Sequence, residues 1–409
     1  MSIMLLILGL VLFVSLVVVH EWGHFIMARR GGVEVEEFGI GFPPRAMTLG
    51  KKKETTYTLN WLPLGGFVKL KGENDSSREK GSFGAAKLST KVKIMLAGVV
   101  MNLVTAFAIL TFLALVGLPK IVENQYTYAS DTKVTRNDVL IGYVEPGSPA
   151  EKAGLQPRDL ITNIEPSYVK IKGSSTPIPT TDVCVGAGLE QVVRPCPVTV
   201  KDLSIRNVTS ITDLMESTKA NAGTEVKVQY ARAGKLELAK LSLRSSEEVE
   251  ASKKTDHPMG YMGISPTEYT LRKSTWSAPI VAAGLIRQFT VLTFKGLGSA
   301  VSNLFRGNGS AASAQVAGPV GIFVVLKDGS LLGYNFILMI IAVISLTLAI
   351  MNVLPIPALD GGRLFVTLIY RALKRPLTKS REEMIHGAGF VALMVLFVVI
   401  TIVDVRRNF

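Results

Sequence analysis

The sequence predicts a polytopic α-helical membrane protein with four transmembrane helices and one inserted α+β domain outside the bilayer. Three observations lead there. Of the 409 residues, 48% are hydrophobic, the mean hydropathy is +0.35, and the apolar residues gather in blocks long enough to cross a membrane. The basic residues, which give a net charge of +13, flank those blocks, as in cytoplasmic loops. A long polar stretch between the second and third blocks carries period-2 segments such as 226–230, the pattern of half-buried strands. A chain whose positive charge is distributed in this way predicts no nucleic-acid partner.

The elements follow in order. Residues 3–19 carry no charge; no basic residue precedes them and no small-residue cleavage site follows, which argues for a retained helix over a signal peptide. The helical pattern runs on into His20, Glu21 and His24, so residues 1–30 form the first transmembrane helix. Residues 31–93 are polar and basic, and 57–71 read as extended chain broken at Pro63, Gly65 and Gly66. Residues 94–118 form the second helix, ended by Pro119, and 120–265 the soluble domain. Within 276–330, the stretch 276–305 contains Arg287 and Lys295 and reads as an amphipathic segment on the outer surface. Residues 331–362 hold the third helix, stopped by Pro355, and 387–409 the fourth with a short tail; 363–386 is a basic loop between them. The charge rule puts 29–93 and 363–381 in the cytoplasm. The N-terminus, the 120–265 domain and the tail then lie outside. Cys184 and Cys196 stand in one polar segment, either as a disulfide or as two thiols.

His20-Glu21-Trp22-Gly23-His24 matches H-E-x-x-H. On a helix, positions i and i+4 share a face, so two imidazoles reach one metal ion and the intervening carboxylate acts on a water bound there. Charged and polar groups inside a membrane helix cost a few kcal/mol and are kept for function; the bland alternative is that His20 and Glu21 cap the helix at the interface. At about 1.5 Å per residue, His20 lies roughly 25–30 Å from the outer end of the helix. Two histidines leave a catalytic zinc one protein ligand short. Asp360, in Asn352-Val353-Leu354-Pro355-Ile356-Pro357-Ala358-Leu359-Asp360-Gly361-Gly362, follows a helix of the same direction as the first and so ends at the same leaflet. Its other reading is an N-cap of the next helix.

His20 to His24 followed by Asn352 to Gly362 resembles the site-2 protease family of intramembrane zinc metalloproteases, most closely its regulator-of-sigma-E protease branch, over nearly the whole chain. Phe38 to Phe42 and Pro63-Leu64-Gly65-Gly66-Phe67-Val68-Lys69 look like the membrane-associated β region of that branch. Ala97-Gly98 and Asn102 match its second-helix motif, with Val99 where a proline is usual. Gly147 to Leu155 and Pro157 to Ile161 resemble a PDZ domain of the bacterial protease-associated kind; one such unit is visible where relatives often carry two, with an insertion near 166–200. The resemblance implies a four-helix membrane protein with a membrane-associated β region and an extracytoplasmic PDZ-like α+β domain. It implies Zn2+ as cofactor, held by His20, His24 and Asp360, with Glu21 as catalytic base. Asn352 and Gly65, Gly66 and Phe67 would bind substrate. The implied setting is the bacterial inner membrane, with the active site toward the cytoplasm. The implied partners are the lipid bilayer, a single-pass membrane substrate such as a trimmed anti-sigma factor or a signal-peptide remnant, and a peptide at the PDZ domain. That domain reads equally as a steric gate that binds no peptide. The rival class is a non-enzymatic membrane scaffold or transporter with a PDZ module; a sporulation-type relative of the same superfamily fits less well, because of the domain between the second and third helices.

Overall fold

A computed structural model of the chain describes residues 2–74, 76–166, 168–169, 178–179, 183–185, 198–200, 206–232, 234–253, 258–307 and 318–408. It falls into two compact units, residues 1–133 with 273–409, and residues 134–272.

The first unit is built on helices. Helix α1 (Ser2–Arg30) leads into two strands, β1 (Val35–Lys52) and β2 (Thr55–Leu70). Both strands bend, so that Gly39 lies opposite Phe67 and also opposite Thr58, while Met47 faces Leu59. Phe38, Val35 and Leu70 on this ribbon pack with Phe25 and Ala28 of α1. The far half of the ribbon is free: Met47, Leu49, Trp61 and Leu62 are exposed.

Helix α2 (Leu88–Val116) begins before the apolar run at Ile94. Its early turns contain Lys91, which is fully buried. The Lys91 ammonium donates to the Gly84 carbonyl at 2.8 Å and sits over the Phe83 ring, so a charge that hydropathy places outside the helix is satisfied within the packed structure.

Unit two is a mixed domain. Its strands are β3 (Lys133–Val144), β4 (Leu160–Pro166), β5 (Arg206–Asn207), β6 (Glu225–Arg232), β7 (Lys235–Ser242) and β8 (Ile264–Lys273). They run in the order β7-β6-β4-β3-β8, with β5 also on β4. Helices α3 (Pro149–Lys152), α4 (Ile211–Ala220) and α5 (Ser246–Ser252) interrupt them. Val226, Val228 and Tyr230 alternate inward on β6 and join Val139, Ile141 and Ile161 in one core. At its edge the Arg232 guanidinium grips the buried Asp159 with two bonds of 2.8 and 2.6 Å. Cys196 and the Cys184 side chain lie outside the described residues, as does most of 166–200.

The chain then returns to the first unit through α6 (Ala278–Phe305), α7 (Pro319–Leu332), α8 (Tyr334–Val353), α9 (Asp360–Ala372) and α10 (Lys379–Asn408). Five described helices are long and apolar enough to cross a membrane, where the sequence reading gives four. The addition is Ala278–Asn303. Arg287 and Lys295 stay exposed on it, while Ala278, Val281, Ala282, Leu285 and Phe289 are buried against α2 and α8. Two charges on the free side leave a continuous apolar stripe, and the helix persists for its full length. From residue 291 to 303 none of its residues is buried. At one end of this unit the Asn335 amide donates to the Gly117 carbonyl. Asp404 of α10, buried, accepts from the Gly318 and Gly321 N–H groups at 2.8 Å each and so caps α7.

Candidate metal centre

Helix α1 presents His20 and His24 one turn apart on the face that meets α2. Two glycines make that meeting close. A methyl group on Gly23 would stand 2.5 Å from the Ala97 carbonyl oxygen; one on Gly98 would stand 2.5 Å from both His20 Cε1 and His24 Nε2. Gly98 is therefore the floor beneath both imidazoles.

Asp360 arrives from a separate helix, far along the chain. Helix α8 ends at Val353, and Pro355 and Pro357 prevent its continuation. The backbone turns back at Ala358, whose φ is +79°, and α9 opens at Asp360. Its N-cap is Leu359, with no side-chain cap, so Asp360 is not the capping residue. Gly361 and Gly362 lie against the carbonyls of Val353 and Ile356, where no side chain fits. The Asp360 carboxylate turns instead to the histidines.

The donor atoms converge. Asp360 Oδ2 is 3.0 Å from His20 Nε2 and 3.2 Å from His24 Nε2, and the two Nε2 atoms are 3.2 Å apart. Among the described residues this is the group of His, Cys, Asp and Glu side chains that could hold a metal ion. Ligands about 2.0–2.1 Å from a tetrahedral zinc stand roughly 3.3 Å from one another, so the spacing fits.

Protonation fits as well. The Ile94 carbonyl, 2.7 Å from His24 Nδ1, only accepts, so Nδ1 carries a proton and, in the neutral ring, Nε2 has the lone pair that would bind a cation. On the other ring, His20 Nδ1 lies 3.2 Å from the Asn102 amide nitrogen, while Asn102 Oδ1 is buried with no partner. Half a turn of that amide gives Oδ1 a donor in His20 Nδ1–H and frees Nε2 in the same way. Ser345 of α8 donates to the Asn102 carbonyl at 2.8 Å, which fixes this stretch of α2.

Glu21 faces the β ribbon. A methyl on Gly66 of β2 would stand 3.5 Å from its Cγ. The Gly66 stretch of β2 thus lies beside Glu21. Gly65 and Phe67 are placed differently: Gly65, at φ +123°, lies under the Phe42 ring, and Phe67 covers Gly39. Asn352 sits in the last turn of α8, half-buried, with no hydrogen bond to a described residue.

The part played by Asn102 is not deducible from residue spacing, since it lies 82 positions from its partner; its only sequence signal is a match to a helix motif. A second group also escapes a reading of the sequence. His386 of α10 accepts from the Ala358 N–H at 3.3 Å.

Comparisons with known proteins cover nearly the whole chain. The model of the family described as peptidase family M50 matches residues 8–396. A Clostridium perfringens protein that carries the name of a zinc metalloprotease is 30% identical over 405 residues, 98% of each chain. Zinc metalloprotease RasP of Geobacillus kaustophilus is 25% identical across 98% of this chain and 97% of its own. Regulator of sigma-W protease RasP of Bacillus subtilis is 24% identical across 98% of each.

Proposed function

Because the chain belongs to peptidase family M50, we propose that it is an intramembrane zinc metalloendopeptidase that hydrolyses a peptide bond within a transmembrane segment of another membrane protein. The observation that carries this is the convergence of His20 Nε2, His24 Nε2 and Asp360 Oδ2 to within 3.0–3.2 Å of one another, beside the Glu21 carboxylate. Two imidazole nitrogens and a carboxylate oxygen at that spacing match the ligand-to-ligand distances of a tetrahedral zinc. The peptidase family match and the relatives named as metalloproteases do not favour a scaffold or transporter. The names of the relatives in C. perfringens and G. kaustophilus specify zinc for those proteins.

His20, His24 and Asp360 hold the ion. When bound, zinc supplies a Lewis acid that polarises the scissile carbonyl and acidifies water. Glu21 takes the proton of the attacking water and returns it to the leaving amine nitrogen. A helical substrate hides its carbonyls in its own hydrogen bonds and must be drawn out. The β2 edge at Gly65, Gly66 and Phe67 offers strand pairing beside Glu21, and Asn352, with its amide uncommitted, holds the substrate backbone.

The setting is the bacterial inner membrane. Helix α1 has 29 residues, about 43 Å at 1.5 Å per residue. His20 is about 15 Å from its Arg30 end; with that end at the cytoplasmic surface, as the charge rule predicts, the site lies in the inner half of a hydrocarbon core about 30 Å thick. The N-terminus and the 134–272 unit lie outside. That unit acts as a PDZ-like module, supported by the Ser148-capped turn that opens α3. The substrate is a single-pass protein of the anti-sigma or signal-peptide-remnant class; the B. subtilis relative is named for sigma-W regulation.

The test is Glu21→Gln in purified, reconstituted protein. Cleavage should fall roughly 10²–10⁴-fold while about one zinc per chain is retained; His24→Ala should lose the zinc. Proteolysis that survives Glu21→Gln would sink the assignment.

A further inference from the structure

A groove of about 460 Å3 runs between α1 and α2. Its walls are apolar, with Ile26 on α1 and Leu96, Val100 and Met101 on α2. Its floor is the close contact of Gly23 with the Ala97 backbone. Two cations stand at one end: Arg30, the last residue of α1, and Lys93, in the second turn of α2. The helices run in opposite directions, which is why both fall at the same end.

These two cations differ from their neighbours. The Lys91 ammonium is committed to the Gly84 carbonyl, and the Arg29 guanidinium lies over the Phe25 ring. Arg30 and Lys93 are exposed and make no ion pair or hydrogen bond with a described residue. An apolar channel ending in two free cations fits an amphiphile with an anionic head and a hydrocarbon tail. Its direction fits too. Arg30 and Lys93 mark the end that the proposed topology puts at the cytoplasmic surface. From there the groove rises about 10 Å along residues 23–30 toward the membrane centre, the direction of an acyl chain below its phosphate in the inner leaflet. The inner leaflet is also the one rich in anionic lipid. A soluble anion would use the cations and leave the walls bare.

We propose that this groove binds one anionic phospholipid of the inner leaflet, its phosphate held by Arg30 and Lys93 and an acyl chain seated on Gly23 and Ala97. The site rests on the transmembrane placement of α1 and α2 given above. The next residue on each helix is part of the metal centre: His24 follows Gly23, and Gly98 follows Ala97. The bound chain therefore braces the helix pair that carries both histidines.

The experiment uses the full chain, reconstituted in phosphatidylcholine nanodiscs with a minor share of phosphatidylglycerol, then transferred to neutral detergent for native mass spectrometry. Wild type should retain one phosphatidylglycerol. Arg30→Gln/Lys93→Gln should retain at least tenfold less, and so should Val100→Trp, which fills the groove and leaves the cations. Arg371→Gln/Arg375→Gln, with the same charge removed elsewhere, should behave as wild type. Zinc content equal to that of wild type certifies that each variant is folded. Retention by the Arg30/Lys93 variant equal to wild type overturns the proposal. So does retention of phosphatidylcholine as strong as that of phosphatidylglycerol, or indifference to Val100→Trp. The lipid count is read without substrate, so a chain that failed to cleave would strike the protease reading and leave this count standing.

Discussion

His386 Nδ1 accepts a hydrogen bond from the Ala358 N–H at 3.3 Å, and through it α10 holds the loop that delivers Asp360. Ala358 has φ +79°, a conformation that costs a non-glycine residue about 1 kcal/mol or more. Gly389, one turn further along α10, lies against Pro357. One turn before His386, Glu382 pairs with Arg363 at 3.7 Å. The short segment that contains Asp360 is thus braced on both sides by one face of one helix. His386 is a positioning residue: His386→Ala should lower zinc affinity and kcat/KM by about tenfold, at the low end for groups that orient metal ligands. His386→Asn should restore both, because its Oδ1 occupies the place of Nδ1. His386→Gln should not, because its oxygen reaches further out. Competition with a chelator reads the affinity, and equal behaviour of Asn and Gln would refute the role.

Gly98 allows no side chain. Its hypothetical methyl meets His20 Cε1 and His24 Nε2 at 2.5 Å, so Gly98→Ala must push one imidazole out of place. We expect zinc content well below one per chain and loss of cleavage, with the helical circular dichroism unchanged. Metal analysis of the purified variant decides it.

Asn102 meets His20 at Nδ1, the ring nitrogen away from Asp360. Asn102→Leu keeps the volume and removes the partner of Nδ1. Loss of such a supporting group costs about 10–100-fold in metal affinity. The same chelator competition measures it; affinity equal to wild type would mean that the amide does not hold the ring.

Acid should loosen the start of α6. Asp131 accepts from the Ser277 and Thr275 hydroxyls at 2.6 Å each, and from both backbone N–H groups. The Ser277 hydroxyl, then that of Thr275, hold its carboxyl well below the usual range. A carboxyl whose pKa is lower in the folded than in the unfolded chain stabilises fully above its ordinary value of about 3.9, and that contribution fades as the pH falls below it. Hydrogen-exchange protection of 275–281 should therefore drop severalfold from pH 5 to pH 2.5 in wild type. Asp131→Asn should be low and flat across the range.

The convergence of His20, His24 and Asp360 was legible in large part because it follows from periodicity. Spacing i, i+4 puts His20 and His24 on one face, and the need for a third ligand at the same leaflet singles out Asp360. Supporting groups were not legible. His386 acts across 28 positions through the packing of α10. The early start of α2 depends on Lys91, whose ammonium is held by the Gly84 carbonyl and the Phe83 ring. Hydropathy scores that lysine as exposed, since it counts residue type and not partner. The full length of α6 was hidden for the same reason. Arg287 and Lys295 interrupt its apolar run in sequence but project to its exposed side in space.

The bond between the Asn335 amide and the Gly117 carbonyl has a topological consequence. The end of α2 and the start of α8 lie at one end of the helices, so if both helices span the membrane as proposed, residues 118–334 return to the side they left. The number of crossings within them is even, zero or two. If Ala278–Asn303 traverses the bilayer, residues 304–333 must cross back. The described helix in that stretch, α7, has 14 residues, about 21 Å, too short for a core about 30 Å thick. Parity also explains how Asp360 meets His24. With α2 crossing once and the insert contributing an even number, α1 and α8 must point the same way, however the insert is elaborated.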